Sequence, residues 1–362
     1  MIITNIKTGF LSIPLKKPFK TSLRSVEHLQ SIIVLVETDA GAIGFGEAPA
    51  TGAITGDSLG GIRGAIHEFI FPSLKGKSIE NLEDTLDSLE KSCVKNFSAK
   101  AAVDIAIYDL FGKLYEIPLF RLFGGFRNRI ETDLTISVNS PDQMAKDSQE
   151  AVSQGFRILK IKVGLDPDLD VMRVKAIREA VGGKIAMRLD ANQGWNEREA
   201  LRTMKAIEDA GLGIELVEQP VRGSNVLGMR NVKASINTPV LADESVFSPL
   251  DAEEVIRKKA ADFLNIKLMK TGGFRSALRI CAIAELYSVE CFMGCMIESK
   301  LSVTAATHLA CAKKIITRYD LDTPLLCKHD PVHGGVSVNA PWLTLNDAPG
   351  LGIEGVDGVV WD

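Results

Sequence analysis

The chain has 362 residues, with 42 Lys+Arg against 46 Asp+Glu, and 46% of its residues are hydrophobic. A charged fraction of 24% is ordinary for a globular protein and excludes disordered, collagenous and coiled-coil classes. The net charge of -4 and 6% aromatics leave neither a basic footprint nor a stacking platform for nucleic acid, and the length exceeds what one hydrophobic core usually holds.

The amino-terminal stretch lacks a basic segment followed by an apolar one, so no secretory signal is expected. No apolar run approaches the roughly 18 residues that span a bilayer, which leaves no membrane partner. The six cysteines (Cys93, Cys281, Cys291, Cys295, Cys311 and Cys327) form no CxxC pair. They read as buried thiols in a reducing compartment, and a cytoplasmic protein is expected.

Residues 1–47 read as antiparallel strands, with Ile32–Thr38 turning at Asp39-Ala40-Gly41 into Ala42–Glu47. A Gly- and Pro-punctuated loop over 49–61 precedes three helical patterns, Ile62–Phe71, Ile79–Lys91 and Ala99–Tyr115, the last stopped by Pro118. The first 125 residues are therefore an α+β block. From Glu131 short β-rich runs alternate with amphipathic helices. Strands are predicted at Thr132–Ile136, Ile158–Val163, Ile185–Leu189, Ile214–Val217, Val240–Ala242, Phe263–Ile266, Glu290–Met293 and Ile315–Tyr319. Eight such units predict a closed (β/α)8 TIM barrel over 126–328. Residues 329–362, rich in Gly and Pro, are expected to return to the α+β block as a capping domain.

One polar residue closes each predicted strand: Thr135, Lys162, Asp190, Glu218, Asp243, Lys267, Cys295 and Asp320, spaced 24 to 28 residues apart. That interval is one βα unit, so all eight converge on one mouth of the barrel, where such folds keep their active sites. Asp190, Glu218 and Asp243 close three consecutive strands and offer an oxygen-only ligand set. It suits a hard cation such as Mg2+ better than zinc. A single acid at such a position commonly caps the next helix; three in succession argue for the metal. Glu244 is a rival ligand beside Asp243.

Lys160 and Lys162 are two apart on one strand and share a face. Lys267 enters from four strands further round, across the mouth. A buried lysine near a cation and other ammonium groups is expected to have its pKa pushed down toward a general base's range. Two bases facing each other across a metal-held carboxylate would remove a proton from one face of an α-carbon and return one to the other, with Lys160 holding the developing charge. That chemistry is epimerisation or racemisation; with one lysine active, the same site would do β-elimination.

These motifs resemble the enolase superfamily, muconate-lactonising-enzyme subgroup, over the whole chain. Within it, Asp320-Leu321-Asp322 is similar to the DxD motif of dipeptide epimerases. Two carboxylates at i and i+2 can hold a substrate ammonium. Arg24 matches the specificity-loop arginine of L-Ala-D/L-Glu epimerases, which takes the distal carboxylate. The loop Ile54-Thr55-Gly56-Asp57-Ser58 resembles the second capping loop. The resemblance implies an isomerase with one Mg2+ per active site, acting on L-Ala-D/L-Glu-type dipeptides by 1,1-proton transfer through an enediolate. It also implies a homo-oligomer linked to cell-wall peptide recycling in a bacterium. Thr135 and Cys295 are expected to line the pocket, with Glu298 and Asn192 behind the lysines and ligands. His329 and His333 have metal-pair spacing, but Pro331 between them argues for a loop. The alternatives are o-succinylbenzoate synthase or N-succinylamino acid racemase of the same subgroup, or a non-catalytic metal-binding barrel.

Overall fold

The computed structural model describes residues 1–362. Three antiparallel strands open the chain: β1 (Ile3–Lys20), β2 (Ser25–Thr38) and β3 (Ile43–Pro49). Helices α1 (Leu59–Ala65), α2 (Phe71–Leu74), α3 (Leu82–Lys91), α4 (Phe97–Leu114) and α5 (Leu119–Leu122) follow. A π-helical turn, Ile66–Ile70, joins α1 to α2, so the predicted first helix is one continuous but unevenly wound segment. Alanines at 99, 101, 102 and 106 leave α4 thin enough to lie directly on β3. A Cβ added at Gly46 or Gly44 would collide with the carbonyls of Ala102 or Ala106.

After β4 (Arg129–Glu131) the alternation begins. The strands are β5 (Leu134–Ile136), β6 (Ile158–Lys162), β7 (Ala186–Asp190), β8 (Ile214–Glu218), β9 (Val240–Ala242), β10 (Phe263–Ile266), β11 (Cys291–Gly294) and β12 (Ile316–Asp320). Each lies within two residues of its predicted bounds. Between them run α6 (Pro141–Ser153), α7 (Pro167–Val181), α8 (Glu197–Asp209), α9 (Val226–Ser235), α10 (Pro249–Arg257), α11 (Leu268–Thr271), α12 (Phe274–Tyr287) and α13 (Lys300–Ala312), and α14 (Thr323–Leu326) follows β12. Their starts follow capping chemistry: Ser140, Asp166, Asn196, Asn225, Ser248 and Ser299 each accept a first-turn N–H, and Asn196 with Glu199 forms a full capping box.

The eight strands pair in parallel in the order β12-β11-β10-β9-β8-β7-β6-β5. No strand ladder joins β12 to β5. The seam is held instead by Asp133 N–H donating to Tyr319 O (3.3 Å), Leu321 N–H to Thr132 Oγ1 (2.8 Å) and Thr135 N–H to Asp322 Oδ2 (2.7 Å). The barrel is thus closed at one position by two side-chain bonds and one backbone bond in place of a strand ladder. Leu216, Leu241 and Phe292 form a small apolar cluster separate from the main core. Leu216 and Leu241 stand two residues before Glu218 and Asp243, and Phe292 two before Gly294 beside Lys267, so this cluster floors the site.

The tail is divided. β15 (Trp342–Thr344) pairs with β4 and with β14 (Ser337–Asn339), β13 (Val332–Gly334) pairs with β16 (Ile353–Val356), and β17 (Val360–Trp361) adds to β1. His333 sits in β13 and meets Asp357 (2.7 Å), so it is no helical partner of His329. No helix is long and apolar enough to cross a membrane.

Candidate active site

Pleating sends alternate side chains of β6 into the barrel, so Lys160 and Lys162 both point inward, 1% and 5% exposed. Asp190, Glu218 and Asp243 close β7, β8 and β9 and are at most 1% exposed. Lys162 Nζ lies 2.6 Å from Asp190 Oδ2. Lys160 Nζ lies 2.6 Å from Asp320, 2.7 Å from Glu218 and 3.1 Å from Asp190. Across the mouth, Lys267 Nζ meets Asp243 Oδ2 at 2.7 Å. Lys267 needs a glycine beside it: a Cβ on Gly294 would stand 2.9 Å from Lys267 Cε.

Lys160, Lys162 and Lys267 line a cavity of about 510 Å3, its open mouth included, with Phe19, Leu23, Arg24, Ile54, Thr135, Asn192, Cys295, Asp320 and Asp322. The three acids lie behind these lysines, bonded to them. The capping domain supplies Arg24, from the turn between β1 and β2, and Ile54 from the loop after β3. Ser22 Oγ straps that first turn to the barrel by donating to the carbonyls of Ala191 (3.0 Å) and Asn192 (3.3 Å). Arg24 is mostly removed from solvent, which lowers its pKa, and it forms no ion pair.

The charges distort one another strongly. Burial alone would raise Asp190, but Lys160 and Lys162 bring it down to about 2. Glu218 is pushed up to about 7 by burial and by Asp190. Asp322 rises to about 7 through burial and Asp320, even though it accepts the Thr135 N–H. Lys267 shows what the cation expected beside it would have to offset. Burial would lower this lysine, but Asp243, with Glu218 and Glu244 behind it, outweighs burial and holds its pKa above the ordinary lysine value. The protein's own charges therefore do not make this lysine a base; a divalent cation's charge would have to offset the carboxylates.

The donor set fits such a cation. Asp190 and Glu218 share Lys160 Nζ, and Asp243 closes the adjoining strand on Lys267. All three are buried oxygen donors with lysines standing between them, so the acids do not yet converge on one point. Two more buried oxygens nearby, Glu244 Oε2 and Asn192 Oδ1, have no hydrogen-bond partner. Unpartnered buried acceptors are costly, and a hydrated hard cation would satisfy them. Glu244 does not touch the lysines; its Oε1 meets Asn192 Nδ2 at 3.5 Å.

Two sequence readings are refined. Glu298 does not reach the lysines or the three acids: it accepts the Met296 N–H (2.6 Å) and the Ser302 hydroxyl. Cys295 Sγ faces Thr323 Oγ1 (3.1 Å) and Asp320 O (3.4 Å), and burial pushes its thiol well up, so it is a wall residue and no nucleophile. One residue went unread. Lys270 is fully buried, lies 2.6 Å from Asp243 Oδ1 and donates to the carbonyls of Asp243 and Asn265. Its only sequence signal was a lysine in an otherwise apolar turn, three residues after Lys267.

Comparison with known proteins agrees with this geometry. Residues 5–124 match the mandelate racemase / muconate lactonizing enzyme N-terminal domain, and residues 143–357 match the enolase C-terminal domain-like family. The chain belongs to the mandelate racemase / muconate lactonizing enzyme family. Among the relatives of this family, an L-Ala-D/L-Glu epimerase of Clostridium acetobutylicum is 54% identical, over 99% of this chain and 100% of its own. A substrate-liganded L-Ala-D/L-Glu epimerase from Bacillus subtilis superposes with a TM-score of 0.97 at 48% identity, covering 98% and 99% of the two chains. A dipeptide epimerase from Enterococcus faecalis, complexed with Mg and the dipeptide L-Leu-L-Tyr, gives 0.94 at 42% identity, covering 98% and 100%.

Proposed function

We propose that this chain is a Mg2+-dependent epimerase of dipeptides, inverting the α-carbon of the C-terminal residue in L-Ala-D/L-Glu. The observation that carries the substrate is Arg24. It is a half-buried guanidinium with no carboxylate of its own, in the same cavity as the lysines and the Asp320/Asp322 pair. A guanidinium partly withdrawn from water and left unpaired is free to take a substrate side-chain carboxylate bidentately.

In this reading Asp190, Glu218 and Asp243 hold the metal, whose charge, when bound, acidifies the substrate α-proton and lowers the proton affinity of nearby lysines. Asp320 and Asp322 orient the substrate ammonium, which fixes the α-carbon between β6 and β10. Lys162 and Lys267 face that carbon from opposite sides. One takes the proton, Lys160 holds the charge that develops on the carboxylate oxygens as the enediolate forms, and the other lysine returns a proton to the opposite face. The Ser22 strap and the buried floor keep bulk water from that proton. The reading also carries a place in bacterial cell-wall peptide recycling, in the cytoplasm, as a homo-oligomer. A subgroup enzyme for N-succinyl substrates would have no ammonium to place between Asp320 and Asp322.

The test is hydrogen exchange at the α-carbon in deuterated water. L-Ala-L-Glu and L-Ala-D-Glu should both exchange, only with Mg2+ present, and Arg24→Met should cut their kcat/KM about a hundredfold while sparing L-Ala-L-Leu. No exchange, or equal loss on both dipeptides, would overturn the assignment.

A further inference from the structure

Glu47 lies in the last half of β3 in the capping domain and is fully buried, yet no cation pairs with it. It accepts four hydrogen bonds. Ser31 Oγ of β2 donates at 2.7 Å, and three more come from the start of barrel helix α13: Ser299 N (2.9 Å), Ser299 Oγ (2.6 Å) and Ser302 N (3.1 Å). A carboxylate at a helix amino terminus is stabilised by the free N–H groups and the helix dipole, which accounts for the missing cation.

The chain of contacts continues into the substrate cavity. Ser302 gives its N–H to Glu47 and its hydroxyl to Glu298, and Glu298 accepts the Met296 N–H. Cys295, Met296 and Ile297 form one wall of the cavity. On the other side, Ser31 lies on β2, the strand that begins directly after Arg24. Glu47 therefore grips both the strand that follows Arg24 and the helix whose first turn is bonded through Glu298 to the Cys295–Ile297 wall.

We propose that Glu47 is a positioning residue for the substrate, setting the distance between the Arg24 side of the cavity and the Cys295–Ile297 wall. The inference rests on the proposed function in that the molecule spanning this gap is taken to be a dipeptide. Misplacing one wall weakens contacts made by the whole bound molecule, in ground state and transition state alike, so the loss falls on KM. A staple that served stability alone would lower the melting temperature and leave KM unchanged.

Glu47→Gln and Ser302→Ala of the full chain test this, with Asp109→Asn as the control. Asp109 is another buried capping-domain acid, bonded to Phe45 N–H, Leu351 N–H and Lys113 and remote from the cavity. Glu47→Gln should raise KM for L-Ala-L-Glu about tenfold, change kcat less than about threefold and leave Mg2+ affinity by calorimetry within about twofold. Ser302→Ala should shift KM in the same direction by a smaller factor, and it decides the matter if Glu47→Gln does not fold. Asp109→Asn should lose stability with KM unmoved. Wild-type KM in both variants, or kcat falling together with Mg2+ affinity, would overturn the proposal. Amide exchange over residues 294–303, free of any substrate, separates the two readings. Faster exchange in the variants supports the clasp whatever the wild type turns over. Unchanged exchange overturns it even if L-Ala-L-Glu is the substrate.

Discussion

The two ends of the barrel both bury charge, but with different cations. At the mouth they are lysines: Lys160, Lys162, Lys267 and Lys270. At the foot they are arginines. Arg188 pairs with Asp133 (2.9 Å) and Glu215 (2.8 Å) and stacks over Phe292, while Arg318 shares Glu215 (2.8 Å) and reaches Glu290 (2.6 Å). Arg188 and Asp190 are two residues apart on β7, so one strand serves both ends. A guanidinium stays charged, makes several bonds in fixed directions and stacks on rings; an ammonium is a movable point charge whose proton can be taken and returned. The foot is built to hold and the mouth to exchange.

That contrast can be broken at several points. Lys162→Ala or Lys267→Ala should cut epimerisation by about a thousandfold or more, read by α-hydrogen exchange, with the fold intact by circular dichroism. Arg188→Met should do the reverse. Asp133 would be left buried without its guanidinium, costing about 3–5 kcal/mol in urea unfolding, while kcat of the folded fraction stays within about twofold. Mg2+ at a hundredfold excess over its Kd should stabilise the wild type by about 3 kcal/mol in thermal melts, and this gain should vanish on chelation and be lost in Glu218→Gln. The smallest effect is in acid. Burial would raise Glu215, but Arg188 and Arg318 outweigh it and hold its carboxyl below the ordinary value. Its contribution is therefore present above the unfolded glutamate's pKa and is lost as pH falls through the lowered one. The urea midpoint of the wild type should drop more steeply below about pH 4.5 than that of Glu215→Gln.

The sequence made the mouth legible because apolar runs ending in a polar residue recur with the βα interval. Val240–Ala242 and Phe263–Ile266 match the structure to the residue for that reason. Residues 1–47 read as antiparallel strands and are so, but the turn that pairs Phe19 with Val26 was not legible, since Lys16, Lys17 and Pro18 carry no alternation and the fold-back is visible only in space. Lys270 and Glu47 were missed for a shared reason. Each works through partners fixed by tertiary structure, Glu47 through serines 252 and 255 residues away. The balance of charge around Lys267 was not legible, because a strand-end spacing lists the acids around a lysine without weighing them.

The seam between β5 and β12 makes the barrel a hoop fastened by a buckle. Its backbone amides are tied there mostly by side chains, so they should open to solvent more often than those of the continuous ladder from β6 to β11. One tongue of that buckle is Asp322, which grips Thr135 and is also a residue proposed to take the substrate ammonium. Occupancy of the site is then felt as hoop tension: a bound dipeptide should quiet the amides of Leu134–Ile136 and Ile316–Asp320 more than those of any other strand.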